Sequence, residues 1–136
     1  MTLAEVVREN PRLAANVPDV LEGLAPYLAA APNARIHWVE EYFRAEIHDA
    51  THRAGIAALT ASGLVLTWRH GLLWRQRATF ELTRDAVTAW RFDHGDRLSA
   101  RTVDGPVSIQ FRAGSPEFHG FSERLRLIRP LGPETR

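Results

Sequence analysis

The chain has 136 residues, with 17 arginines, no lysine and no cysteine, and 16 acidic residues bring the formal net charge to +1. Without cysteine there is no disulfide framework, no thiolate metal site and no cysteine nucleophile, and a charge this small argues against bulk nucleic-acid binding. The hydrophobic fraction of 45% is that of an ordinary single domain able to bury a core, and the apolar runs fall far short of the ~20 residues that span a bilayer.

Residues 1–33 read as a helical extension. Leu3 to Glu9 is helix-compatible and stops at Asn10-Pro11. A second helix starts at Pro18, where a missing N–H costs nothing. Val17, Val20, Leu21, Leu24 and Leu28 form its apolar stripe. Pro26 lies within that stripe and predicts a kink or an early end near Ala25.

Residues 34–130 read as antiparallel strands followed by one helix. Arg35 to Ile47 is rich in aromatic and β-branched residues and favours a long, bent strand over a continued helix, which its Glu, Ala and Arg would also allow. His48 to Arg53 is polar and reads as a turn or loop. Strand runs then follow at Ile56–Thr60, Leu64–Trp68, Leu72–Trp74, Ala78–Leu82, Val87–Phe92, Leu98–Val103 and Val107–Phe111, with turn signals at Ala61-Ser62-Gly63, Gly71, Asp93 to Asp96 and Asp104-Gly105. Ser115 is a good N-cap with Pro116 at the first helical position. Phe118, Phe121, Leu125 and Ile128 then share one helical face. Residues 131–136 read as a tail. The expected fold is α+β: an antiparallel barrel or sandwich of about seven strands, closed by this amphipathic helix.

From about Gly55 to Ile128 the chain resembles bacterial pleckstrin-homology-like domains that carry a helical extension before the barrel. The resemblance rests on Gly55-Ile56-Ala57-Ala58-Leu59-Thr60 followed by Gly63-Leu64-Val65-Leu66-Thr67. Phe80-Glu81-Leu82-Thr83-Arg84-Asp85-Ala86-Val87, the Asp104-Gly105 hairpin and the closing helix with its phenylalanines add to it. The family's basic residue after the first Leu-Thr strand is absent, since Ala61, Ser62 and Gly63 follow Thr60. The resemblance implies a seven-stranded barrel with a capping helix.

Charge is unevenly placed. Residues 1–67 hold 5 arginines and 8 acids, whereas residues 68–136 hold 12 arginines and 8 acids. The sharpest local feature is Trp68-Arg69-His70-Gly71-Leu72-Leu73-Trp74-Arg75-Gln76-Arg77. Arginine forks suit phosphate or carboxylate, and tryptophan suits interfaces, so Trp68, Arg69, Trp74, Arg75 and Arg77 are the candidate binding residues. The plainer account is a hairpin with tryptophan in the core and solvated arginine outside. His48 and His52 are spaced to share a metal ion if they lie on a helix, but no third ligand is adjacent. Glu40 and Glu41 point to opposite faces of a strand and form no acid–base pair. There is no Gly-x-Ser-x-Gly elbow, phosphate-cradling loop or dinucleotide fingerprint.

The expected function is therefore a non-catalytic adaptor, working through a protein partner or self-association, without cofactor, metal or nucleic acid. One alternative is binding of an anionic membrane surface or phosphate through the Arg/Trp hairpin. Another is a small metal-dependent enzyme using His48 and His52. The acid at Glu5, where a signal peptide would be basic, predicts a cytoplasmic protein. Arginine and alanine codons are GC-rich, so the missing lysine is read as the mark of a high-GC bacterial or phage genome.

Overall fold

The computed structural model describes residues 2–11, 13–112 and 114–135. Met1 and Arg12 of the helical extension, Ala113 before the last helix and Arg136 of the tail lie outside the described residues.

Two helices come first. Helix α1 spans Leu3–Arg8 and is started by a capping box, in which Thr2 and Glu5 bond each other's backbone N–H. Helix α2 spans Val17–Ala30. Of the kink or early end expected at Pro26, the early end does not occur, since the helix runs on to Ala30. Pro26 sits on the exposed side, so the carbonyl it leaves unbonded faces water. The buried stripe of Val17, Val20 and Leu24 outweighs the ~3 kcal/mol an interior proline costs, since each such side chain is worth ~1.5–3 kcal/mol.

Seven strands follow: β1 Ile36–Ile47, β2 Ala50–Thr60, β3 Gly63–His70, β4 Gln76–Thr83, β5 Val87–Asp93, β6 Arg97–Thr102 and β7 Gly105–Phe111, and then helix α3, Pro116–Ile128. They form one open antiparallel sheet in the order β4-β3-β2-β1-β7-β6-β5. The expected α+β class, seven antiparallel strands and C-terminal helix are found, and the strands form a single open sheet with no ladder closing it among the described residues. The chain meanders, its first and last strands pair, and β4 and β5 remain as two edges with no shared ladder. A shift in the β1–β7 register between Tyr42 and Arg44 lets Tyr42, Ala45 and Ile47 all join the same core, as a β-bulge allows.

Two loop readings also change. The turn or loop expected from His48 to Arg53 is a turn, and a shorter one: only His48 and Asp49 turn the chain, both in left-handed conformation (φ 49° and 76°). This is the two-residue hairpin geometry whose twist matches antiparallel strands, and Ala50 already belongs to β2. Leu72–Trp74 is not a strand but a single 3-10 turn.

Each face of the sheet is covered. On the inner face, Phe118, Phe121 and Leu125 of α3 pack with Tyr42, Leu59, Leu66, Trp90 and Phe111. Ile128, the last residue of the expected stripe, is half-buried against the same cluster. On the outer face, Val6, Val7, Leu13, Val20 and Leu24 pack with Ile36, Val39, Ala58 and Val65, so the helical extension is seated on its own sheet. Residues 131–135 are tied down as well. Leu131 is buried in the inner cluster, Trp90 Nε1 donates to the Gly132 carbonyl (3.0 Å), and Thr135 N donates to the Trp90 carbonyl (2.7 Å). No helix among the described residues is long and apolar enough to cross a membrane.

Candidate interaction site

Trp68 and Arg69 end β3, Trp74 and Arg75 lie in the connection, and Arg77 begins β4. The alternation of a strand separates them. Trp68 faces the inner cluster, where it stacks on His52 at 4.3 Å between ring centroids. Arg69 and Arg77 face the other way and are directly opposed across the hairpin, which is repulsive unless an anion intervenes. Asp19, in the first turn of α2, supplies that anion. Both Arg69 and Arg77 donate from Nη2 to Asp19 Oδ1, and Arg77 Nη2 also reaches the Asp19 carbonyl at 3.2 Å. Glu22, one turn on, lies 3.7 Å from Arg69 and 4.0 Å from Arg77. The hydrogen bond to Asp19, and then its charge, raise the Arg69 pKa above its ordinary value. Two of the basic half's arginines are thus met by acids of the helical extension.

The connection itself is different. Leu72, Leu73 and Trp74 are 86%, 68% and 51% exposed, three consecutive large apolar residues at a tip. Leu73 and Trp74 are held in left-handed backbone (φ 58° and 55°), which costs roughly 1–2 kcal/mol for each non-glycine residue. The turn is closed by Trp74 N donating to the Gly71 carbonyl (3.1 Å), and Arg69 Nη1 braces the Trp74 carbonyl (3.4 Å). Arg75 is exposed beside the tip and has no ion-pair partner among the described residues. Trp74 also borders a cleft of about 420 Å³ between α2 and the sheet, shared with Asp19, Arg53, Ile56, Arg69 and Arg77. No histidine lines the cleft, and two of its three arginines are already spent on Asp19.

His48 and His52 do not come together on a helix. His48 sits in the turn, edge-on to Phe80 at 5.6 Å, while His52 lies in β2 against Trp68. Burial there, and then the neighbouring His70, lower the His52 pKa. Among the described residues no group of three or more His, Cys, Asp or Glu is placed to hold a metal ion.

Asp19 is the residue of this site that sequence reasoning missed, although the charge asymmetry was its signal. A buried polar network also went unseen. Glu40, 1% exposed, accepts from Asn10 Nδ2 (3.1 Å) and Trp38 Nε1 (3.0 Å), and Asn10 donates as well to the Val39 carbonyl (2.9 Å). Glu41 points the other way, to Arg112 at 3.4 Å, so the two carboxylates do part as expected.

No family model and no curated protein matches this chain. Among solved structures, it is similar to the crystal structure of the C-terminal domain of an unknown protein from Leishmania infantum, at 11% identity and a TM-score of 0.49, over 80% of this chain and 98% of that one.

Proposed function

We propose that this chain is a non-catalytic interaction domain of pleckstrin-homology-like type, acting as an adaptor through protein contacts or self-assembly. The meander of seven strands, the β1–β7 pairing and the C-terminal helix on the inner face support the family reading. The exposed Leu72-Leu73-Trp74 tip carries the functional one. Large apolar side chains held in water by a strained turn are ready to be buried elsewhere, and each is worth ~1.5–3 kcal/mol when it is. Leucine and tryptophan flanked by one free arginine suit the apolar centre of a protein interface, where tryptophan and arginine are enriched. An anionic membrane is less well served. Each basic residue near such a surface supplies ~1 kcal/mol, and of the hairpin's arginines Asp19 already holds Arg69 and Arg77.

The test places a photo-crosslinking residue at position 75 and compares capture in cells by the otherwise unchanged chain with capture by its Leu72→Ser, Leu73→Ser, Trp74→Ser variant. One defined protein crosslinked from 75 and lost in the triple variant supports the reading. No specific crosslink, together with flotation on anionic vesicles that vanishes at high salt, overturns it in favour of the membrane.

A further inference from the structure

We propose that β4 is the contact through which two copies of this chain pair, edge to edge and antiparallel, with Thr79 on the two-fold axis. This makes the self-assembly form of the adaptor reading specific and uses a surface other than the tip.

The two free edges of the sheet are treated differently. Along β5 the chain covers its own edge. Thr135 N donates to the Trp90 carbonyl (2.7 Å), and the Glu134 carboxylate takes the Phe92 N–H (3.4 Å). Along β4 nothing among the described residues pairs on the side away from β3. This edge is eight residues long, Gln76–Thr83, and contains no proline. An uncovered edge of this length is a template for another strand, and proteins ordinarily blunt such edges.

The sequence of β4 names the strand it fits. Ala78, Phe80 and Leu82 pack toward the inner cluster, so Arg77, Thr79 and Glu81 share the outer face. In an antiparallel pair of identical strands centred on Thr79, Arg77 stands opposite Glu81 of the second copy, and Glu81 opposite its Arg77. Thr79 meets Thr79, and Ala78 meets Phe80. Both charges are matched twice over, and the faces agree, with each α2 on the same side of a continuous sheet. Centring on Ala78 sets Arg77 against threonine and Glu81 against Arg75, which lies outside the strand in the preceding turn. Centring on Phe80 sets both charges against threonine, so only the Thr79 register pairs both charges within β4 itself. Arg77 is bonded through Nη2 to Asp19, and its buried Nε lies 4.0 Å from Glu22 Oε1, so Glu81 of the second copy adds a further carboxylate to a guanidinium that α2 already holds. Thr79 and Glu81 are exposed, so the strand is open where the pairing is centred.

The native chain has no cysteine, which makes the test direct. Sedimentation across a wide concentration range should show a reversible monomer–dimer equilibrium. Glu81→Arg sets arginine against arginine at two symmetric positions and should weaken association at least about tenfold without moving the denaturation midpoint. Under mild oxidation Thr79→Cys should form a covalent dimer, because directly opposed residues of an antiparallel pair have α-carbons ~4.5–5.5 Å apart, inside the span a disulfide bridges. Gln76→Cys, which opposes Leu82 of the second copy, should not. A chain that stays monomeric throughout, or a Thr79→Cys that crosslinks no faster than Gln76→Cys, overturns the proposal. So does a dimer that survives Glu81→Arg but is lost in the Leu72, Leu73, Trp74 serine variant; that result leaves the tip reading standing and β4 uninvolved.

Discussion

Asp19→Ala is the sharpest test of how the basic hairpin is held. The substitution removes the acceptor shared by Arg69 and Arg77 and leaves two opposed arginines with only Glu22 nearby. Arg77 decides the size of the effect, because its side chain is 15% exposed and the pair it makes is screened less than a surface pair. Losing that charge-assisted bond costs ~1–2 kcal/mol, and losing an acid from the first turn of α2 adds ~0.3–1 kcal/mol. Arg69 lies farther out and contributes little. The total of ~1.5–3 kcal/mol lowers the melting temperature by roughly 5–10 °C for a domain of this size. Urea denaturation followed by tryptophan fluorescence measures it, with Glu22→Ala as the control. Glu22 is largely exposed, and its variant should move the midpoint very little. Equal stability of Asp19→Ala and the parent chain would refute the claim that Asp19 holds the hairpin. The same variant should gain affinity for anionic vesicles, since it frees two arginines.

Gly55→Ala places a β-carbon 2.4 Å from the Thr67 carbonyl oxygen and 2.5 Å from the buried Tyr42 Oη. Neither can yield, so thermal melting should show a loss of about 3 kcal/mol or more, at the severe end of overpacking. At Gly23 the tightest neighbour is the flexible end of Arg77, at 2.8 Å. Alanine there gains ~1 kcal/mol of helix propensity, and its net change should stay within about 1 kcal/mol. Acid should weaken the fold in two stages. His52 is held below its ordinary 6.5 by burial, with His37 shifted the same way, so both prefer the neutral form and stability declines as pH falls below that value. Glu134 is held below its ordinary 4.5, first by its hydrogen bond from Arg126, so its contribution is full above that pH and lost beneath it. Urea midpoints from pH 8 to 3 check both stages, and Glu134→Gln should flatten only the second.

Much of the fold was legible because it rests on local chemistry. Ser115 and Pro116 mark the start of α3 wherever it packs, since the cap bond from Phe118 N to Ser115 Oγ spans three residues. Apolar spacing likewise named Phe118, Phe121 and Leu125 as the buried face. The same local logic placed a turn at His48-Asp49 but extended it too far, to Arg53. Two left-handed non-glycine residues make a tighter hairpin than polarity alone implies, and the β1–β2 ladder holds them there. An early end at Pro26 did not follow either, because burial of the α2 stripe overrode a local penalty.

The candidate site divides along the same line. Length, arginine placement and hydrophobic period determined the α+β class, the order of elements and the hairpin where arginine and tryptophan concentrate. They could not say which arginines are free, because Asp19 lies 50 residues from Arg69 and 58 from Arg77. Charges that far apart in sequence meet only when α2 docks on the outer face, driven by apolar burial that is indifferent to them. Tertiary structure alone decided that Leu72, Leu73 and Trp74 stand in water and that β4 is an uncovered edge. Exposure and pairing belong to the assembled sheet, and a strand has no edge until its neighbours are in place.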